Sequence, residues 1–102
     1  MRKAKVSINH DKLEAASDLL RAMAHPLRLK ILNFIDSNEK INVNKIYNTL
    51  KLEQSITSQH LRILRVTDLV GTERDGKFIY YNINYDKVAK AVAAISNFVH
   101  QR

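Results

Sequence analysis

The chain has 102 residues, with 17 Lys and Arg against 10 Asp and Glu, a formal charge of +7 with His neutral. That length holds one hydrophobic core, so residues 1–102 are expected to form a single domain, and 45% hydrophobic with 26% charged residues is the balance of a folded soluble protein rather than a disordered one. The absence of Cys excludes disulfides, thiolate metal sites and a Cys nucleophile, while two Gly and one Pro leave little material for a sandwich, a barrel or a phosphate-cradling loop.

A mostly helical chain follows. Residues 1–10 form a basic N-terminal arm, and Val6 to His10 is too short and too polar for a signal sequence. No stretch is apolar for long enough to cross a bilayer, so no membrane partner is expected and the expected address is cytoplasmic. The excess of positive charge points to a polyanionic partner, nucleic acid above all.

The first predicted helix runs from Asp11 to Ala24, with Leu13, Ala16, Leu20 and Met23 at helical spacing. His25-Pro26 ends it, because a residue before Pro is pushed out of the helical region, and Pro26 then suits the first turn of a second helix reaching Asp36. Ser37 to Lys40 is polar and breaks the period. Asn42 is a good N-cap for a short third helix with Val43, Ile46, Tyr47 and Leu50, and a tight connection at Lys51-Leu52-Glu53 leads to a fourth helix from Gln54 to Val66. The period then changes to two. Val70–Arg74 and Lys77–Ile83 have the β-branched and aromatic content of strands, joined by a two-residue Asp75-Gly76 loop in which both positions favour positive φ. A fifth helix from Asp86 to His100 closes the chain. The predicted fold class is mainly α with a β-hairpin wing, a winged helix-turn-helix of order α-α-α-α-β-β-α.

The fourth helix carries the functional argument. At 100° per residue, Ile56, Ile63, His60, Leu64, Thr57 and Leu61 fall in one arc of about 160°. Ser55, Ser58, Gln59, Arg62 and Arg65 fall opposite, and residues 54–66 contain no acid. An ordinary solvated helix face mixes both charge signs. An acid-free face of small hydroxyls, amides and guanidiniums suits a major groove, where Gln can bond an adenine edge and Arg can fork onto guanine or phosphate. Gln54 sits at the helix start, where free N–H groups favour a phosphate. The short helix and tight turn before it complete a helix-turn-helix, and Arg74 and Lys77 give the hairpin a basic tip that can reach the flanking backbone or minor groove. The alternatives for these features are a solvated helix face and an ordinary surface hairpin.

Ala24-His25-Pro26-Leu27-Arg28-Leu29-Lys30-Ile31-Leu32, Gln54 through Leu64, Leu69-Val70, and Arg74-Asp75-Gly76-Lys77 before Tyr80-Tyr81 together resemble the ArsR/SmtB family of winged-helix repressors. The resemblance spans about residues 11–100. It implies a homodimer built on the first and last helices, residues 86–100 being the C-terminal dimerisation helix, and repression at an operator relieved by an inducer that the sequence does not name. Carried over by position, it implies DNA reading by Gln54, Ser55, Ser58 and Gln59, with Arg62 near phosphate and the wing at Arg74 and Lys77. Many members have Val where this chain has Thr57, and a small polar residue at Ile56. On the wheel Ile56 lies at the edge of the buried arc and is expected to pack there, the alternative being contact with a thymine methyl. The family's thiolate metal site needs Cys. The positions of its second site fall here on Tyr85, Lys87, Phe98 and Gln101, none a usual zinc ligand, so metal sensing is not carried over. No cofactor is predicted.

Among the four His, His60 is expected as a packed, hydrogen-bonded ring and His25 as a structural residue at the helix junction. His10, Asp11 and His100 are the one conceivable metal set, requiring the chain ends to meet in a dimer. No enzyme constellation stands out, since His60 lies about 140° from Ser55 and about 160° from Ser58 on the wheel and can serve neither as a base. Ala89, Ala91, Val92, Ala93, Ala94, Ile95, Phe98 and Val99 cover more than one face of the last helix, which calls for a second helix from a two-fold partner and hence an inverted-repeat operator. The expected function is sequence-specific binding of double-stranded DNA by a homodimeric repressor. The competing expectation is a winged-helix protein-interaction or RNA-binding module.

Overall fold

The computed structural model describes the backbone of residues 10–100 and, within that span, the side chains of residues 11 and 14–94. Eight elements follow in order: α1 (His10–Met23), α2 (Pro26–Asn38), β1 (Lys40–Asn42), α3 (Val43–Leu50), α4 (Gln54–Val66), β2 (Val70–Asp75), β3 (Phe78–Ile83) and α5 (Tyr85–His100). All five helices and the hairpin of the sequence-based prediction are present.

The breaks between helices have local causes. His25 is extended (φ −84°, ψ 123°), as a residue before Pro must be, and its Nδ1 accepts from the Leu27 N–H at 3.1 Å, which caps α2. Pro26 occupies the first helical turn, where its missing N–H costs nothing. Arg28, one turn in, donates to the carbonyls of Ala22 (2.7 Å) and Arg21 (3.1 Å), satisfying acceptors left over at the end of α1. Asn42 caps α3 through Oδ1 and the Lys45 N–H at 2.9 Å. Lys51 takes the left-handed conformation (φ 57°, ψ 50°) that ends α3 and turns the chain into α4.

Helix ends shift by one or two residues, α2 running through Ser37-Asn38, and two further details differ from expectation. The segment after α2 contains a strand, β1, so the sheet has three strands in the order β1-β3-β2, all antiparallel. Three residues with one apolar side chain give no alternation to detect. What makes the strand is tertiary: Ile41 pairs with Tyr81 and is buried under the sheet. The hairpin loop is also one residue later than expected. Asp75 pairs with Phe78, leaving Gly76-Lys77 as the loop. Gly76 has φ 64°, and no non-Gly residue of the hairpin has positive φ, so the first loop position alone carries it, as a type II′ turn requires.

The core lies between the helices and the base of the sheet. Ile31 and Ile35 of α2, Ile46 of α3, Leu61 and Leu64 of α4, and Leu69 and Val70 at the entry to β2 are fully or nearly fully buried, with Ala22 and Ile41 at its margins. Each fully buried aliphatic side chain contributes about 1.5–3 kcal/mol relative to exposure. This core holds α4 by one stripe only, so the opposite side of that helix faces outward.

Candidate nucleic-acid interface

Thr57, Leu61 and Leu64 form the buried stripe of α4, and Thr57 is 0% exposed. The Thr57 hydroxyl and N–H both donate to the Glu53 carbonyl, at 2.9 and 3.0 Å, so its one polar group is satisfied inside the protein. That stripe sets the rotation of the helix. Gln54, Ser55, Ser58, Gln59, Arg62 and Arg65 are all exposed as a result. Among the described residues neither Arg62 nor Arg65 has an ion-pair partner. Glu53 precedes the helix without a side-chain cap bond, so the first-turn N–H groups keep free donors at the end of α4.

The wing carries the other two candidate residues. Arg74 is exposed on β2 opposite Ile79, and its Nε donates to the Gly76 carbonyl at 3.3 Å. Lys77 is exposed in the loop, its ammonium 5.9 Å from the centre of the Phe78 ring. On the other side of β3, Lys40 of β1 approaches Glu73 at 3.7 Å and lies 5.4 Å from the centre of the Tyr80 ring. Sequence patterning missed this third strand and with it the brace that ties the wing to the end of α2.

His60 packs where expected, against α2 and away from Ser55 and Ser58. Its ring lies 4.7 Å from that of His25, and Nδ1 is 3.2 Å from Arg28 Nη1. A guanidinium only donates, so Nδ1 accepts and the neutral ring carries its proton on Nε2. Burial lowers the His60 pKa below the ordinary imidazole value, and the positive charges of His25 and Arg28 act in the same direction.

The wheel placed Ile56 and Ile63 inside the packing arc. Both are instead 39% exposed, and Val66 is more open still. The body grips α4 along the single line Thr57–Leu61–Leu64, which is narrower than the apolar arc of the sequence, so residues at the arc's edge stand clear of it. The signal was present in the wheel, since Ile56 borders Gln59 there.

Two positions of the family's second metal site, Tyr85 and Lys87, are among the described side chains. The Tyr85 hydroxyl donates to the Asp36 carboxylate, which raises the Tyr85 pKa and keeps the phenol protonated, and Lys87 is a cation. Among the described residues no three His, Asp or Glu come together as a ligand set. Asp11 is exposed, and the side chains of His10 and His100 lie outside the described residues, as does the basic arm.

A family model described as bacterial regulatory protein, arsR family, matches residues 25–72, which include α3, the turn and α4. The transcriptional repressor PagR of Bacillus anthracis is 44% identical over 81 residues, covering 79% of this chain and 81% of that protein. The chain belongs to the ArsR family. The crystal structure of NolR from Sinorhizobium fredii matches this ArsR-family fold with a TM-score of 0.76 at 38% identity, covering 95% of this chain and 96% of that one. The transcriptional activator HlyU of Vibrio cholerae is 39% identical over 70 residues, 69% of this chain and 64% of that protein. The chain is thus a DNA-binding transcriptional regulator of the ArsR family rather than a protein- or RNA-binding module. Its relatives are regulators, not enzymes. Among the described residues no helix is long and apolar enough to cross a membrane.

Proposed function

We propose that the protein is a homodimeric repressor that lays α4 of each subunit into the major groove of an inverted-repeat operator. The observation that carries this is the exposed side of α4: Gln54, Ser55, Ser58, Gln59, Arg62 and Arg65 stand in solvent without an acid among residues 54–66, while Thr57, Leu61 and Leu64 anchor the helix from behind. Gln54, Ser55, Ser58 and Gln59, nearest the helix start, meet base edges. Arg62 and Arg65, further along, meet phosphates, as do Arg74 and Lys77 of the wing.

The dimer surface is α5 with α1. Ala91 is buried against the protein's own body, whereas Ala89, Val92 and Ala93 face outward, and small side chains let a second helix approach closely. The apolar face continues in sequence through Ile95, Phe98 and Val99, which lie outside the described side chains. A two-fold axis through this surface sets the two α4 helices about one DNA turn apart, ~34 Å. Repression is favoured over activation by the likeness to PagR, a named repressor at 44% identity. No cofactor is invoked, and a cytoplasmic address follows from the DNA partner.

A gel shift on DNA from the protein's own upstream region, across a salt series, tests the proposal. Sequence-specific binding with a steep salt slope is the expected result, and weak binding indifferent to sequence contradicts it. Gln59→Ala is expected to lose about 1–3 kcal/mol of discrimination between operator and random DNA. Lys77→Ala is expected to weaken all sequences alike and to flatten the salt slope by about 1. Identical effects of the two substitutions on every sequence would remove the division between base reading and phosphate contact.

A further inference from the structure

We propose that Ile56 reads the C5-methyl group of a thymine in each operator half-site, an assignment that rests on α4 lying in the major groove. Ile56 is in the first turn of α4 and 39% exposed. It stands about 60° around the helix from Gln59 and about 100° from Ser55, at the edge of the side that those residues present at the helix start. The protein covers it only in part, because the buried line of α4 runs through Thr57, Leu61 and Leu64.

The chemistry of its surroundings selects the partner. A protein-docking site presents a cluster of apolar anchors. Ile56 is instead a single exposed branched hydrocarbon in the first turn, bordered on its outer side by Gln59 and, further round, Ser55. The other exposed aliphatics of the helix, Ile63 and Val66, are seven and ten residues further on, about 10 and 15 Å along the axis, where they line a groove with Leu19 and Ala22 of α1. Ile63 lies only about 20° from Ile56 around the helix, so it is distance along the axis that separates this groove from the first turn. The major groove offers one apolar group on its base edges, the methyl of thymine, and isoleucine at a position flanked by hydrogen-bonding side chains is matched to it in size and polarity. The methyl contact thereby adds an apolar preference for thymine to the hydrogen-bond reading of the neighbouring side chains.

The test begins with a binding site selected from random duplex DNA by the full chain. Each thymine of a half-site is then replaced in turn by deoxyuridine, which keeps every hydrogen-bonding group and removes only the methyl. At one position the wild-type protein is expected to bind about fourfold more weakly per half-site, the value of one buried methyl. Ile56→Ser is expected to bind thymine and uracil equally at that position, and Ile56→Val to show an intermediate ratio. Lys77→Ala, weaker on all DNA, is expected to keep the wild-type thymine-to-uracil ratio. The melting temperatures of both Ile56 variants should stay close to wild type, since the residue is not in the core. A thymine-to-uracil ratio in Ile56→Ser equal to that of the wild type at every position overturns the inference and leaves the groove-reading function standing. A selection that enriches no sequence overturns both.

Discussion

Thr57 shows how a single side chain fixes what a helix presents. It is fully buried, yet its hydroxyl is already bonded to the carbonyl one turn back, which also accepts the Thr57 N–H. Thr57→Val keeps the shape, and the backbone N–H of residue 57 still donates to that carbonyl, so stability is expected to change by less than about 1 kcal/mol and operator affinity not at all. Denaturant unfolding and a gel shift check the pair of outcomes, and a loss of affinity without a loss of stability would mean that Thr57 faces the duplex. Thr57→Asp puts a carboxylate in the same place and is expected to unfold the domain. His60 makes the complementary point about charge. In the unfolded chain its imidazole gains a proton near pH 6.5. In the fold, burial and the positive His25 and Arg28 lower its pKa, so the native state binds fewer protons in that window. Its contribution to stability is therefore complete above about pH 6.5 and is lost as the pH falls through the lowered value. The melting temperature should drop on acidification below that point, and the drop should shrink in His60→Gln, whose amide oxygen can still accept from Arg28.

At the scale of elements, the ends of helices were the most legible feature and the sheet the least. His25 and Asn42 act through bonds to backbone within three residues and Pro26 through its fixed φ and missing N–H, so their roles are written locally. Asn42→Ala is expected to cost about 1 kcal/mol through the lost cap, seen as a lower urea midpoint with an unchanged slope. The α4 boundaries, Gln54 and Val66, were likewise visible in the pattern. β1 was not, because Lys40-Ile41-Asn42 is a strand only by virtue of β3 beside it. The hairpin is legible in the composition but its loop lies one residue later than Asp75-Gly76 suggests: that pair has the composition of a loop with positive φ at both positions, yet Asp75 is held in register with Phe78 and Gly76 alone has positive φ. Local turn chemistry lost there to strand pairing. The wing residues named from sequence stay exposed under either register, with Arg74 on the strand and Lys77 in the loop.

For the whole molecule, the outward face of α5 is the feature that a monomer leaves unexplained. Val92 is 51% exposed on a helix whose neighbouring outward positions are Ala89 and Ala93. Val92→Asp places a charge in the proposed two-fold interface without touching the core. It is expected to shift the protein from dimer to monomer in sedimentation and to weaken binding to an inverted repeat far more than to a single half-site, with helical circular dichroism unchanged. A Val92→Asp protein that remains dimeric would move the interface elsewhere.

What the sequence determined by itself was the kind of surface: an acid-free stretch from Gln54 to Val66, a preceding short helix and turn, and a basic hairpin, all set by residue type and local period. What only the tertiary structure decided was which residues of that stretch reach solvent. An amphipathic wheel divides a helix into two halves, but the body grips α4 along the narrow line of Thr57, Leu61 and Leu64, so the edge of the apolar arc is released. Ile56 passed from core to surface for that reason, because burial depends on what the neighbouring elements can reach and not on how apolar a residue is.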